Sequence, residues 1–132
     1  MKSDQTLSDV AVSTEEETNY LSADDIFNSE DIDYVDVVIP EWKRNGKPGV
    51  LRLRAMTAGE AIKFTEELKD NKKADSYVRI VAATAIDPKT GERIFNGDLA
   101  VKKLLAKKSG IFIRLQTAAM KLNELGGDVK NV

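Results

Sequence analysis

A chain of 132 residues with 42% apolar and 32% charged side chains has the size and composition of one domain with one modest core. Cysteine and histidine are both missing, which excludes disulfides, thiol nucleophiles, a histidine general base and every cysteine or histidine zinc site. The formal net charge of -2 conceals a split, since residues 1 to 36 hold 11 acids and one base, Lys2, and carry -10, while the rest of the chain carries +8. That division points to an acidic tail beside a basic body. No apolar run approaches the roughly 20 residues that span a bilayer. MKSDQTLSDVAVS lacks the charged-then-apolar layout of a signal peptide, so the protein is expected to stay in the cytosol where it is made.

Residues 1 to 19 are rich in acids and hydroxyls and poor in large apolar groups, and are expected to form a disordered tail because burial cannot offset the entropy of ordering them. In YLSADDIFNSED, Ser22 can cap a short helix with Asp24 and Asp25 in its first turn, and Leu21 and Ile26 can form a hydrophobic staple; a turn without a helix is the alternative. DYVDVVIPEW predicts a strand that stops at Pro40, with Val35, Val37 and Ile39 on a buried face and Tyr34, Asp36, Val38 and Pro40 on the other. VLRLRA predicts its partner, with Leu51 and Leu53 alternating with Val50, Arg52 and Arg54. Asn45-Gly46 and Pro48-Gly49 in the intervening KRNGKPG are turn formers. A lone hairpin is marginal in water, so this one needs helices beneath it.

Helices account for the rest. Thr57 and Glu60 make a capping box, followed by Ala61, Phe64, Thr65 and Leu68 at helical spacing until DNKKAD ends the helix. SYVRIVAATAI is apolar nearly all round through Tyr77, Val78, Ile80, Val81, Ala82 and Ala85, the pattern of a buried central helix. Pro88 and Gly91 then predict a turn that returns Ile94 and Phe95 to the core. Asn96 or Asp98 can cap a helix carrying Leu99, Val101, Leu104 and Leu105, interrupted by KKSG. The last helix begins near Ile111 and lines up Ile111, Leu115, Ala118, Ala119, Leu122 and Leu125, with Gly126-Gly127 as its stop and DVKNV as a frayed end. The expected fold is α+β: a small two-stranded antiparallel hairpin packed on a compact bundle of about four helices. Residues 20–125 form one globular domain in this reading, flanked by the tail at 1–19 and a flexible end at 126–132.

The clusters that could suggest an enzyme have simpler readings. Asp24/Asp25, Glu66/Glu67 and Glu15 to Glu17 are adjacent acids that point in different directions. DPKTGER lacks the carboxylate spacing of a calcium loop, and the glycines at 46, 49 and 59 do not follow phosphate-loop order. Lys72/Lys73, Lys102/Lys103 and Lys107/Lys108 read as solvated helix positions. No catalytic residue, metal ligand or cofactor is assigned. Trp42, the only tryptophan, has two readings that both stand at this stage: packed at the rim of its own core, or a partly exposed anchor for a partner beside Pro40. Arg52 and Arg54 on the facing strand are candidates to flank it, or to pair with acids such as Asp36. Pro40, Trp42, Arg52 and Arg54 are therefore the candidate partner-binding residues.

The order of these parts resembles the tail assembly chaperones of long-tailed bacteriophages. The features that carry the resemblance are an L-x-A-D-D-I-like segment at Leu21 to Ile26, a strand ending in V-P-E-W-like form at Val38 to Trp42, and an R-hydrophobic-R strand at Arg52 to Arg54. A T-x-x-E cap at Thr57 to Glu60 and a D-x-x-x-G turn at Asp87 to Phe95 complete the pattern. The resemblance covers roughly residues 20 to 125 and lies in the order of the motifs. It implies a non-enzymatic protein in the cytoplasm of the infected bacterium that binds the tape-measure protein, keeps it soluble, helps recruit tail-tube subunits and is absent from the finished virion. In many such phages a ribosomal frameshift adds a C-terminal domain. Self-association along the client is left open, and no membrane is involved. A minor tail protein of completion or connector type is the second reading, and a nucleic-acid-binding regulator ranks last because the lysines are spread over several faces without stacking aromatics.

Overall fold

The computed structural model describes residues 18–70 and 75–124. Most of the expected acidic tail, Lys72/Lys73, Leu125 and the expected C-terminal end at 126–132 lie outside them. The chain divides into two units, Met1–Asp31 and Ile32–Val132, each described by itself.

In the first unit the chain turns once into helix α1 (Ala23–Phe27). Its capping box is complete: the Ser22 hydroxyl accepts from the Asp25 amide at 3.2 Å, and the Asp25 carboxylate accepts from the Ser22 amide at 2.9 Å. Leu21 and Ile26, the expected staple, are 65% and 54% exposed.

The second unit is α+β. Strand β1 (Tyr34–Arg44) pairs antiparallel with β2 (Lys47–Arg54). Then come helices α2 (Ala58–Asp70) and α3 (Ser76–Thr84), the short strand β3 (Ala85–Ile86), and helices α4 (Gly97–Leu104) and α5 (Ser109–Leu122). With α1, the described residues hold five helices and one three-stranded antiparallel sheet of order β1-β2-β3.

The expected two-stranded sheet thus gains a strand. SYVRIVAATAI does not run as helix to its end: Ala85 turns extended at φ -72° and ψ 126°, and Ala85 and Ile86 pair with Leu53 and Arg52. The reason lies in β2, a central strand whose second edge carries backbone groups that need partners. The Asp87–Phe95 segment folds back as the predicted turn, with Gly91 at φ 77° and the Ile94 amide donating to the Ala85 carbonyl at 3.2 Å.

Helices α3 and α5 pack on one side of the sheet, and α3 is the buried centre expected from its composition. Phe112, Ile39, Leu53, Ile111, Leu115, Val78 and Val81 are the large apolar side chains most fully removed from water. Each contributes about 1.5–3 kcal/mol relative to exposure. The buried face of β1 is graded: Ile39 is 2% exposed, Val37 is half-buried against the core, and Val35 at the far end is 36% exposed. Several expected core positions are instead exposed, namely Ile94, Leu99 and Leu105, and Thr65, whose hydroxyl donates to the Ala61 carbonyl at 3.0 Å. Phe95 does reach the core. No helix among the described residues is long and apolar enough to cross a membrane.

Candidate partner-binding surface

The hairpin departs from its expected shape at Pro40. The strand does not stop there: β1 continues to Arg44, and the pairing steps from Ile39↔Gly49 directly to Lys43↔Pro48. Pro40, Glu41 and Trp42 therefore form a bulge, a device that absorbs a residue with no N–H to donate. The two-residue loop beyond it is Asn45-Gly46, with φ of 54° and 76°, the left-handed pair that an Asn-Gly hairpin turn requires. Pro48-Gly49, expected in the loop, lies within β2 instead. Gly49 is needed there because a side chain at that position would run into the Trp42 backbone carbonyl.

Trp42 turns inward from this bulge. Half-buried, it packs against the core and meets Phe112 of α5 edge-on, with ring centroids 5.8 Å apart and planes at 66°. Glu41 on the same bulge accepts from the Arg114 guanidinium of α5 at 2.7 Å, and this bond holds its carboxyl below the usual range. Pro40 remains exposed.

Arg52 and Arg54 do not flank Trp42. Arg52 pairs across the hairpin with Asp36 through two bonds of 2.8 and 3.0 Å, as the cross-strand register Asp36↔Arg52 allows, and its guanidinium lies 3.8 Å over the Tyr34 ring. The bond lowers the Asp36 carboxyl and raises the Arg52 guanidinium from their ordinary values. Arg54 bonds both oxygens of Glu60 at 3.0 and 2.8 Å. Burial pushes the Glu60 carboxyl up, but the Thr57 amide and Arg54 outweigh it and the net shift is downward. Arg54 Nε is buried without a partner among the described atoms.

These pairs border an open surface. With α3 and α5 on the inner side, the outer side of the sheet presents Tyr34, Val38 and Val50 to solvent, and Val38 and Val50 sit directly opposite each other, 55% and 60% exposed. Val38 and Val50 thus form an exposed apolar pair on the open sheet face, with the Asp36–Arg52 pair next along the hairpin. A small cleft of about 150 Å³ elsewhere is lined by Glu60, Lys63, Phe64, Glu67 and Arg93 among others. Two of its polar groups have structural duties: Glu60 holds Thr57 and Arg54, and Arg93 Nε donates to the Ala82 carbonyl at 3.2 Å. Among the described residues no cluster of three or more carboxylates is placed to hold a metal ion.

Two further ties escaped the sequence reading. Arg79, on α3, reaches Asp75 at 3.1 Å and Asp98 of α4 at 3.3 Å. Asn123 accepts from the Met56 amide at 2.7 Å and donates to the Ala119 carbonyl at 2.8 Å, locking the exit of β2 to the end of α5. The Asp75/Arg79 spacing of four residues was a visible signal; nothing local marks the other contacts. No family model, curated protein or solved structure matches the chain.

Proposed function

We propose that the protein is a tail assembly chaperone of long-tailed bacteriophages, which binds the tape-measure protein, keeps it soluble and helps recruit tail-tube subunits. It acts in the cytoplasm of the bacterial host and is left out of the mature virion. The sheet serves as the client-binding platform and the helices beneath it as a rigid support, which keeps the finer reading of a hairpin carried on a group of four helices.

The observation that carries this reading is the open outer face of the hairpin, with Val38 and Val50 exposed opposite each other beside Pro40. A helical client with an apolar stripe can lay that stripe on such a face. The Asp36–Arg52 and Arg54–Glu60 pairs border it on the side away from the hairpin tip and keep that rim polar. The ordered motifs from Leu21 to Phe95 support the same family reading.

Co-expression with the tape-measure protein tests it. The client is expected to become soluble in the presence of the wild-type chain and to lose that solubility when Val38→Lys and Val50→Lys replace the exposed pair in a variant that still folds. A client equally insoluble with and without the protein would end the proposal. Mass spectrometry of purified particles separates the main alternative, since a completion or connector protein would be found there.

A further inference from the structure

We propose that the cleft between α2, α3 and the Asp87–Phe95 turn is a binding site for a carboxylate carried on a short aliphatic body. The cleft holds about 150 Å³. That is room for roughly five water molecules and well below the roughly 300–1,000 Å³ of a cofactor-sized site, so it takes a group the size of one side chain. Its lining comes from three stretches of chain. Phe64 of α2, Ala83 of α3 and Met56 ahead of α2 supply an apolar wall, and all three are packed in or against the core, so the wall is fixed. Lys63 lines the cleft beside Phe64, and Arg93 reaches it from the turn.

The charges on this cleft do not cancel one another. Glu60 and Glu67 also line it, but Glu60 engages both oxygens with Arg54 and the Thr57 amide, and Glu67 has a partner of its own. Lys63 and Arg93 make no ion pair among the described residues. Arg93 is nonetheless held at two points: its backbone bridges Ile86, and its Nε donates to the Ala82 carbonyl at 3.2 Å. The guanidinium is thereby fixed in orientation, while its terminal nitrogens have no partner among the described residues. A fixed guanidinium offers parallel N–H donors that match a carboxylate, and little ordering entropy is lost when one binds. Lys63 adds a second positive charge on a flexible stem. A bare anion would leave Phe64 and Ala83 uncovered, and a bare hydrocarbon would leave the cations unmatched; an aliphatic carboxylate satisfies both. Two sources carry that chemistry, a free short-chain acid and the C-terminal residue of another protein. The inference stands apart from the client reading, and its test contains no client.

Titration of the isotope-labelled full chain with isocaproate, followed by NMR, reads the outcome. Saturable shifts are expected at the amides of Lys63, Phe64, Ala83 and Arg93. Isocaproamide and acetate should each bind at least about tenfold more weakly, since each lacks one half of what the cleft recognises. Lys63 is exposed and its side chain makes no bond among the described residues, so Lys63→Gln should weaken binding about tenfold with an unchanged melting temperature. Arg93→Lys, which keeps the charge and loses the fork, should weaken it by a similar factor. An acetylated tripeptide ending in leucine separates the sources. Binding at least as tight as that of isocaproate, lost when the peptide is amidated at its C-terminus, assigns the cleft to protein chain ends; binding of isocaproate alone assigns it to a small acid. No saturable shift with either probe, equal affinity for isocaproate and acetate, or full affinity in both variants would each overturn the proposal.

Discussion

Trp42 has the role its neighbours impose. Its edge-on contact with Phe112 and its place in the bulge make it a strut between sheet and helix. Trp42→Ala is expected to lower unfolding stability by about 2 kcal/mol, below the range for a fully buried aromatic because the ring is half exposed to water. Urea denaturation checks this, with Trp42→Phe retaining most of the contact. Full stability in the alanine variant would return the tryptophan to the role of partner anchor. Gly49 supplies a companion prediction: Gly49→Ala drives a methyl group into the backbone carbonyl of Trp42, which cannot rotate away, so a loss of more than about 1 kcal/mol is expected. The Trp42–Phe112 contact was not legible in the sequence because Phe112 lies off the apolar stripe that the spacing of its helix marks out.

At the scale of elements, local chemistry was legible and long-range pairing was not. The Thr57–Glu60 capping box formed as its spacing predicts, and the expected Ser22 cap formed as well, with Asp25 closing a reciprocal bond, because a cap needs only residues three apart. The Asn45-Gly46 turn formed for the same reason. By contrast, the end of α3 is set by the needs of β2, and Ala85 and Ile86 carry no signal for leaving a helix. Periodicity also overcounted burial, since a stripe marks a face but cannot say how far the neighbouring element extends over it; Leu99 and Leu105 on and after α4 are exposed while Val101 and Leu104 are buried. Helix α2 allows a test in both directions. Thr57→Ala removes the cap and is expected to cost about 1 kcal/mol. Gly59→Ala, where a methyl group would meet open space in the first turn, is expected to stabilise by about 0.4–1 kcal/mol. Thermal melts of the two variants should shift in opposite directions, and a destabilised Gly59→Ala would mean that this turn is not the regular helix its backbone describes.

For the whole molecule, the charge split that organises the sequence becomes a statement about acid stability. Asp25, Asp36, Glu41 and Glu60 are all held below their ordinary values of 3.8 or 4.5, each by a bond that only the folded chain makes. A carboxyl whose folded pKa lies below its unfolded one gives stability that is present above the unfolded value and lost as pH falls through the folded value, because the unfolded chain then takes up more protons. With no histidine and no cysteine, no side chain of ordinary pKa titrates between about pH 5 and 8. The melting temperature should therefore be level between about pH 5 and 8 and fall steadily below that range toward about pH 3. Asp36 and Glu41 sit in exposed pairs screened by solvent, so their share is small and shrinks further in high salt. Glu60 is more enclosed and holds both Thr57 and Arg54, so Glu60→Gln should flatten the acid limb more than Asp36→Asn does, at some cost in stability near neutrality. Scanning calorimetry at fixed ionic strength decides it: a melting temperature that stays level or rises between about pH 5 and 3 would mean that these ion pairs do not persist in solution.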